Sequence, residues 1–258
     1  MNQFGIIGFG KMGHALLKGM TSVIDCPVML CDTDPNAFKD ADKLGLKSYS
    51  TTSSVEDVAS HCDVILLAVK PIHAQHVIEK ILNSNKPITV LSIVAGLKLD
   101  RIARDNINAV RIMPNTPALV GAASCVVVDQ GLTPQTRELV STLLGTCGDV
   151  HFVANENLLD AVTGLSGSGP ALFAVIAEAL ADAAVAEGLP RSLANALARE
   201  TMLGTAKLMQ VEHPDILKEN VMSPGGTTAA GLIAAEKAGI RPACQAFVCA
   251  ATNKSRNL

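Results

Sequence analysis

Tryptophan is absent from this 258-residue chain, tyrosine occurs once, and all aromatics together make up only 3%. Any core must therefore be built from Ala, Leu, Val and Ile, side chains that let helices pack closely. Charge is scarce as well, at 17% of residues with a net charge of -3. No basic surplus draws the chain to nucleic acid or to an anionic membrane, so neither is expected as a partner. The seven cysteines (Cys26, Cys31, Cys62, Cys125, Cys147, Cys244 and Cys249) include no C-x-x-C pair. An odd count without metal spacing reads as reduced, mostly buried thiols of a cytoplasmic protein with no metal site. The N-terminus runs straight into an apolar strand, so no signal peptide is expected. No uninterrupted membrane-length run occurs either. Ala171 to Ala186 is nearly all apolar, yet Glu178 and Asp182 interrupt it at i, i+4 within a run shorter than about 18 residues. It reads as a helix buried on most sides inside protein.

What is abundant is apolar residue, 48% of the chain, enough for one large domain or two modest ones with real cores. The first such stretch is Phe4-Gly5-Ile6-Ile7-Gly8-Phe9-Gly10-Lys11-Met12-Gly13, where a short apolar strand meets glycines spaced G-x-G-x-x-G. From Lys11 the period changes to helical, with Met12, Leu16, Leu17 and Met20 on one face. This is the strand–turn–helix context of a dinucleotide site. Gly8 permits the tight turn, Gly10 lets the backbone approach a pyrophosphate, and Gly13 lets the helix pack against its strand. Free N–H groups at the helix start then face the phosphates. An ordinary glycine-rich turn would look the same, so the remaining chain has to decide.

It decides by alternation. Val28–Cys31 reads as a second strand with Asp32 at its end, where a carboxylate accepts hydrogen bonds from ribose hydroxyls. Asp34-Pro35 reads as a cap opening the next helix, and Ser53-Ser54-Val55-Glu56 as a capping box with a helix to about His61. Further strands are expected over 64–69, 89–94 and 109–113, with edge strands over 124–128 and 150–153 and helices over 72–82 and 134–144. The pattern predicts a Rossmann-type, doubly wound parallel sheet with ligands at the carboxyl ends of its strands. Gly8–Gly13, Asp32, Ala68–Pro71, Ala95–Gly96 and Asn115 would all open on that edge. After Val153 no β-rich run appears, and helical patterns fill 156–163, 170–187, 190–210, 214–220, 227–238 and 242–254. A dinucleotide-binding domain over 1–154 and an all-helical domain over 155–258 follow.

The helical half holds two glycine-rich segments, Leu165-Ser166-Gly167-Ser168-Gly169-Pro170 and Val221-Met222-Ser223-Pro224-Gly225-Gly226-Thr227-Thr228. Small residues ahead of a helix start expose N–H groups suited to a carboxylate, although plain capping loops read the same way. His73 and His76, three apart on a helix, read as surface or packing residues rather than a metal pair.

Six motifs in order, G-F-G-K-M-G (8–13), A-V-K-P (68–71), A-G (95–96), R-I-M-P-N-T-P (111–117), G-L-S-G-S-G-P-A (164–171) and S-P-G-G-T-T (223–228), carry a resemblance. Over essentially its whole length the chain resembles the pyrroline-5-carboxylate reductase family. The resemblance implies reduction of the cyclic imine 1-pyrroline-5-carboxylate to proline with NADPH or NADH, the last step of proline biosynthesis. It implies a homodimer interlocked through the helical domains, with assembly into larger rings. It also implies that Gly8, Phe9, Gly10, Lys11 and Met12 hold the pyrophosphate and that Ala68, Val69, Lys70 and Pro71 flank the cofactor. Ala95, Gly96 and Asn115 would lie near the nicotinamide, and the Val221 carbonyl with Gly226, Thr227 and Thr228 would hold the substrate. Thr228 is the expected catalytic residue, its hydroxyl meeting the ring nitrogen. Where family members place Ser, Asn or Arg after the second strand and favour NADPH, this chain has Asp32 with no Arg nearby, only Lys39 and Lys43. That leans toward NADH. Two other readings stand beside this one, a β-hydroxyacid dehydrogenase-like reductase using Lys207 or Lys218, and a non-catalytic dinucleotide sensor.

Overall fold

Four consecutive buried residues, Phe4–Ile7, form β1 at the middle of an eight-stranded sheet; the computed structural model describes residues 1–258. The other strands are β2 (Val28–Cys31), β3 (Tyr49–Thr52), β4 (Val64–Leu67), β5 (Ile88–Ser92), β6 (Ile107–Met113), β7 (Ala123–Val128) and β8 (Gly148–Val153). Their order is β3-β2-β1-β4-β5-β6-β7-β8. All neighbours run parallel except β6 and β7, which are antiparallel through Ile112 opposite Val127. The order reverses between β2 and β4 around β1, which puts the crevice of an open α/β sheet directly after Ile7.

Side chains of the central strands alternate between two cores. Phe4, Ile6, Leu30, Leu66 and Val110 enter one, capped by α1 (Lys11–Met20) and, later in the chain, by a helix over Pro134–Gly145. Ile7, Ile65, Leu67 and Ala109 enter the other, covered by α2 (Val55–His61) and α3 (Pro71–Leu82). A residue period of two with both faces apolar is what burial between helix layers demands. The Pro134–Gly145 helix is α4, and a short α5 follows over Leu158–Val162. Leu159 of α5 is fully buried against Met113, Val126 and Val128.

Three local readings of the sequence are corrected. The Asp34-Pro35 cap exists, with Asp34 Oδ1 accepting from the Asn36 N–H, but it opens only a 3-10 turn over Pro35–Phe38, and a second such turn follows over Ala41–Leu44. Only Ala41 and Leu44 are buried there, too few apolar positions to hold a full helix down. The cap of α2 is Ser54, whose hydroxyl accepts from the Asp57 N–H, one residue later than the box at 53–56. The strand β3 went unforeseen. Chain packing also divides at a different place from the change in composition: the sheet unit comprises Met1–Ser168 together with Ala250–Leu258, and the helical unit Gly169–Cys249. The reason is that α5 packs on the sheet through Leu159, and Ser255 donates to Asp160 on α5.

The helical unit contains α6 (Gly169–Ala186), α7 (Arg191–Leu208), α8 (Pro214–Val221), α9 (Thr227–Lys237) and most of α10 (Ile240–Arg256). α6 packs on α7, Ala181 of α6 is buried, and Asp182 of α6 pairs with Arg191 at the start of α7. The expectation that α6 is buried on most sides does not hold within one chain. Phe173, Val175 and Leu180 are each more than half exposed, at 57%, 58% and 57%. By length and composition 158–186 could cross a membrane.

Candidate active site

The glycine turn is shaped by contacts that only glycine allows. Gly8 has φ +91°, and a Cβ there would stand 2.7 Å from the carbonyl carbon and oxygen of Ala68. A Cβ on Gly13 would collide with the Gly8 carbonyl oxygen, so the helix lies directly on its own strand. Gly10 differs, since a Cβ built there meets nothing within 4 Å. Its openness therefore has no reason inside the fold.

Gly10 also begins α1 without any side-chain cap, and no acid stands in the first turn. The first N–H to bond within the helix is that of His14, to the Gly10 carbonyl at 2.9 Å. The N–H groups of Lys11, Met12 and Gly13 precede it, and a helix start leaves such groups unpaired and slightly positive. An uncapped helix start beside an open glycine, with Lys11 exposed at its first position, is a fitting cradle for a pyrophosphate. Phe9 is different from its neighbours. Its ring is buried and stacked on Phe38 at 6.1 Å, with His14 at 5.6 Å, and its N–H donates to Asp32 Oδ2 at 2.8 Å. Its contribution is to anchor the loop.

Asp32 stands at the end of β2, half-buried. Its second oxygen, Oδ1, accepts from the Asp34 N–H at 2.9 Å. Of the two lysines able to neutralise a phosphate here, Lys43 is held by Asp40 at 2.6 Å, and Lys39 makes no ion pair. Ala68 continues the β1–β4 pairing by donating to Ile7, which sets Val69 beside Gly8. Lys70 precedes α3 and Pro71 begins it, both exposed. Beyond β5, Ala95 packs with Met113 and Leu159, and Gly96, at φ +75°, faces Leu258. Asn115, just past β6, is buried with both ends of its amide engaged: Oδ1 accepts from the Ser124 N–H at 2.9 Å and Nδ2 donates to the Ser166 carbonyl at 3.3 Å. Thus Gly8–Met12, Asp32, Ala68–Pro71, Ala95–Gly96 and Asn115 share the carboxyl-end edge of the sheet.

Sequence reasoning missed an ion pair behind this edge. Arg111, with 5% of its side chain exposed, donates to Glu156 Oε1 at 2.9 Å. The same oxygen accepts from the Leu99 N–H at 2.8 Å, which ties the segment after Gly96 to β6 and to the approach to α5. Arg111 opens the R-I-M-P-N-T-P motif, and its charge inside a strand was the one available signal.

The second set of candidate residues belongs to the helical unit. Val221 ends α8, exposed; Gly226 is the N-cap of α9, and Thr227 and Thr228 are its first two residues. Gly225 takes φ +68°, and a Cβ on Gly226 would strike the Ser223 hydroxyl, so the turn closes tightly with the Gly226 N–H on the Ser223 carbonyl at 3.0 Å. No side chain caps α9. Its first N–H groups, with the Thr228 hydroxyl, form a cluster of donors suited to a carboxylate. Lys218, a candidate base in the dehydrogenase reading, lies half-buried and 3.6 Å from Asp215. Burial pushes the Cys31 thiol up to about 11 and those of Cys62 and Cys125 to about 12, which keeps them protonated.

A family model described as pyrroline-5-carboxylate reductase dimerisation matches residues 156–258, and one described as NADP oxidoreductase, coenzyme F420-dependent, matches residues 3–96. The chain is 40% identical to a pyrroline-5-carboxylate reductase of Synechocystis over 99% of this chain and 98% of that protein. It is 38% identical to one of Arabidopsis thaliana, covering 99% and 95%. Among solved structures, a pyrroline carboxylate reductase of Plasmodium falciparum with NADP bound is similar at 30% identity and a TM-score of 0.87, covering 99% of this chain and 97% of that one.

Proposed function

Given that the chain belongs to the pyrroline-5-carboxylate reductase family, we propose that its two sets of site residues divide one reaction between them. The enzyme reduces 1-pyrroline-5-carboxylate to proline with NAD(P)H, completing proline biosynthesis. The bound nicotinamide supplies a hydride to the imine carbon, and a proton goes to the ring nitrogen.

The chain's own residues place and polarise. Gly10, Lys11 and Met12 would hold the pyrophosphate on the uncapped start of α1, with Gly8 and Phe9 fixing the loop. Asp32 would meet the adenine ribose; Ala68, Val69, Lys70 and Pro71 would flank the cofactor, and Ala95, Gly96 and the Asn115 segment would border the nicotinamide. The Gly226 N–H closes the turn on the Ser223 carbonyl, so the N–H groups of Thr227 and Thr228, with the Val221 carbonyl, would orient the substrate, its carboxylate on those donors. The Thr228 hydroxyl would hydrogen-bond the ring nitrogen, where it orients the ring or relays the proton. With little acid–base work required, placement supplies most of the rate. The observation that carries the cofactor half is the open, uncapped Gly10 turn.

Asp32 favours NADH over NADPH, because a carboxylate there repels a 2′-phosphate and, with Lys43 paired, only Lys39 remains to offset it. The protein is oligomeric, with a dimerisation region over 156–258. We extend the proposal to a homodimer built on the exposed apolar side of α6, to rings of such dimers, and to a cytoplasmic enzyme without nucleic acid or membrane partners. All seven cysteines are free, and a partner subunit accounts for the apolar exposure over 158–186. The test is oxidation of NADH against NADPH with pyrroline-5-carboxylate and with no substrate, and reduction of NAD+ and NADP+ with a hydroxy acid. Turnover only with the cyclic imine, faster with NADH, is expected. Turnover of the hydroxy acid alone would favour the dehydrogenase reading, and none at all the sensor.

A further inference from the structure

The R-I-M-P-N-T-P and G-L-S-G-S-G-P motifs meet at one hydrogen bond, from Asn115 Nδ2 to the Ser166 carbonyl at 3.3 Å. Between α5 and α6 the chain does not continue as α-helix. Residues Thr163–Gly167 form a π turn, in which the Ser168 N–H reaches back five residues to the Thr163 carbonyl at 2.9 Å. The sequence explains this widening. In an α-helix the Ser166 carbonyl would accept from the residue four positions on, which is Pro170. Proline has no N–H, and its ring crowds the carbonyl four residues before it. The turn must open, and the Ser166 carbonyl needs another donor. Asn115 supplies one, from a buried side chain whose Oδ1 is fixed by the Ser124 N–H on β7. Gly167 lies beside Met113, a Cβ there standing 3.9 Å from the sulfur, so the turn rests on the end of β6 at two points.

We propose that Asn115 is a positioning residue of the reductase, donating the hydrogen bond that Pro170 cannot and thereby fixing the 163–168 turn at the nicotinamide end of the sheet. This rests on the functional reading above, and it replaces a direct cofactor contact by the Asn115 side chain. π turns of this kind recur at functional sites, and here it is the placement of the turn on the end of β6 that the Asn115 bond secures. Misplacement near reacting atoms by about an ångström is enough to cost roughly a hundredfold in rate.

The decisive experiment is a double-variant cycle. Asn115→Asp keeps the acceptor for Ser124 but turns an oxygen toward the Ser166 carbonyl. Pro170→Ala returns an N–H to the helix at the position that Ser166 lacks. Asn115→Asp is expected to lower kcat by about tenfold to a hundredfold with the KM for NADH within about threefold. Pro170→Ala alone should change kcat by less than about threefold. Together they should recover most of the lost kcat, since the two changes share one partner atom. Amide exchange followed by mass spectrometry should show residues 163–168 less protected in Asn115→Asp and protected again in the double variant. Unchanged kcat in Asn115→Asp, or equal loss in the single and double variants, would overturn the proposal. So would a rise in the NADH KM that matches the fall in kcat. Should Asn115→Asp fail to fold, a folded and active double variant is the same rescue, and its absence counts against the idea. If the wild type does not reduce the cyclic imine, the functional reading has failed; exchange at 163–168 then decides the Asn115–Ser166 link by itself.

Discussion

The Phe9 N–H donates to Asp32 at 2.8 Å, so the acid expected to read the ribose is also a strut of the glycine loop. Cofactor choice and loop geometry are therefore coupled. Asp32→Ser is expected to shift the kcat/KM ratio toward NADPH by about tenfold or somewhat more, since one repulsive charge is worth roughly 1–2 kcal/mol. Asp32→Ala, which leaves the Phe9 and Asp34 N–H groups without acceptors, should raise the KM for both cofactors. Steady-state kinetics with NADH and NADPH check both. A wild type that already prefers NADPH strongly would remove Asp32 from the ribose.

The three glycines of the turn separate by reason. Gly8→Ala forces a left-handed residue against Ala68, and Gly13→Ala forces a methyl into the Gly8 carbonyl. Each is expected to lower stability by about 1–3 kcal/mol or more. Gly10→Ala adds a methyl to open space at an extended φ of -77°, so stability should stay within about 1 kcal/mol. Its NADH affinity should still fall at least about tenfold, because the methyl stands where the pyrophosphate must approach. Thermal melts and fluorescence titration with NADH read the two effects. Normal NADH binding by Gly10→Ala would mean that the cradle lies elsewhere.

Thr228 tests the chemistry. In the proposed reaction its hydroxyl would strengthen its contact with the ring nitrogen as hydride arrives, so its loss should appear mainly in kcat. One hydrogen bond to a charging group is worth about 1.5–3 kcal/mol, hence a loss of roughly 10- to 150-fold in Thr228→Ala. Thr228→Ser should lose much less. Thr227→Ala should be mild, because the backbone N–H is the group in use. Wild-type kcat in Thr228→Ala would leave proton delivery to water.

The exposed apolar side of α6 predicts a large hydrophobic dimer interface, of the kind that resembles a shared core. Light scattering at micromolar concentration should find no stable monomer. Leu180→Asp, which places a charge two turns from Phe173 on the same face of the helix, should give inactive monomer or aggregate. A fully active monomer would count decisively against the interface.

How much of this was legible beforehand depended on the kind of signal. The β1 turn could be read because Gly8 and Gly13 each have their own steric reason, and α1 because Leu16, Leu17 and Met20 repeat with helical spacing and are all buried. The strand β3 could not, since Tyr-Ser-Thr-Thr is half exposed at a sheet edge and shows no apolar alternation. The antiparallel entry of β7 was equally hidden, because an apolar strand carries no mark of its direction. Asn115 was visible as part of a motif, but its task is not local. Its partner lies 51 residues onward, at a carbonyl whose need arises from a proline four residues further still.

The sheet unit is assembled from two stretches of chain, Met1–Ser168 and Ala250–Leu258, with the helical unit threaded between them. Synthesis runs in one direction, and units tend to fold as they emerge. Here the β1 turn and all eight strands leave the ribosome long before Ser255 exists to donate to Asp160 or Leu258 to lie against Gly96. Until then the Gly96 segment lacks its Leu258 cover and α5 its Ser255 bond. Residues 250–258, which supply both, follow the whole helical unit along the chain.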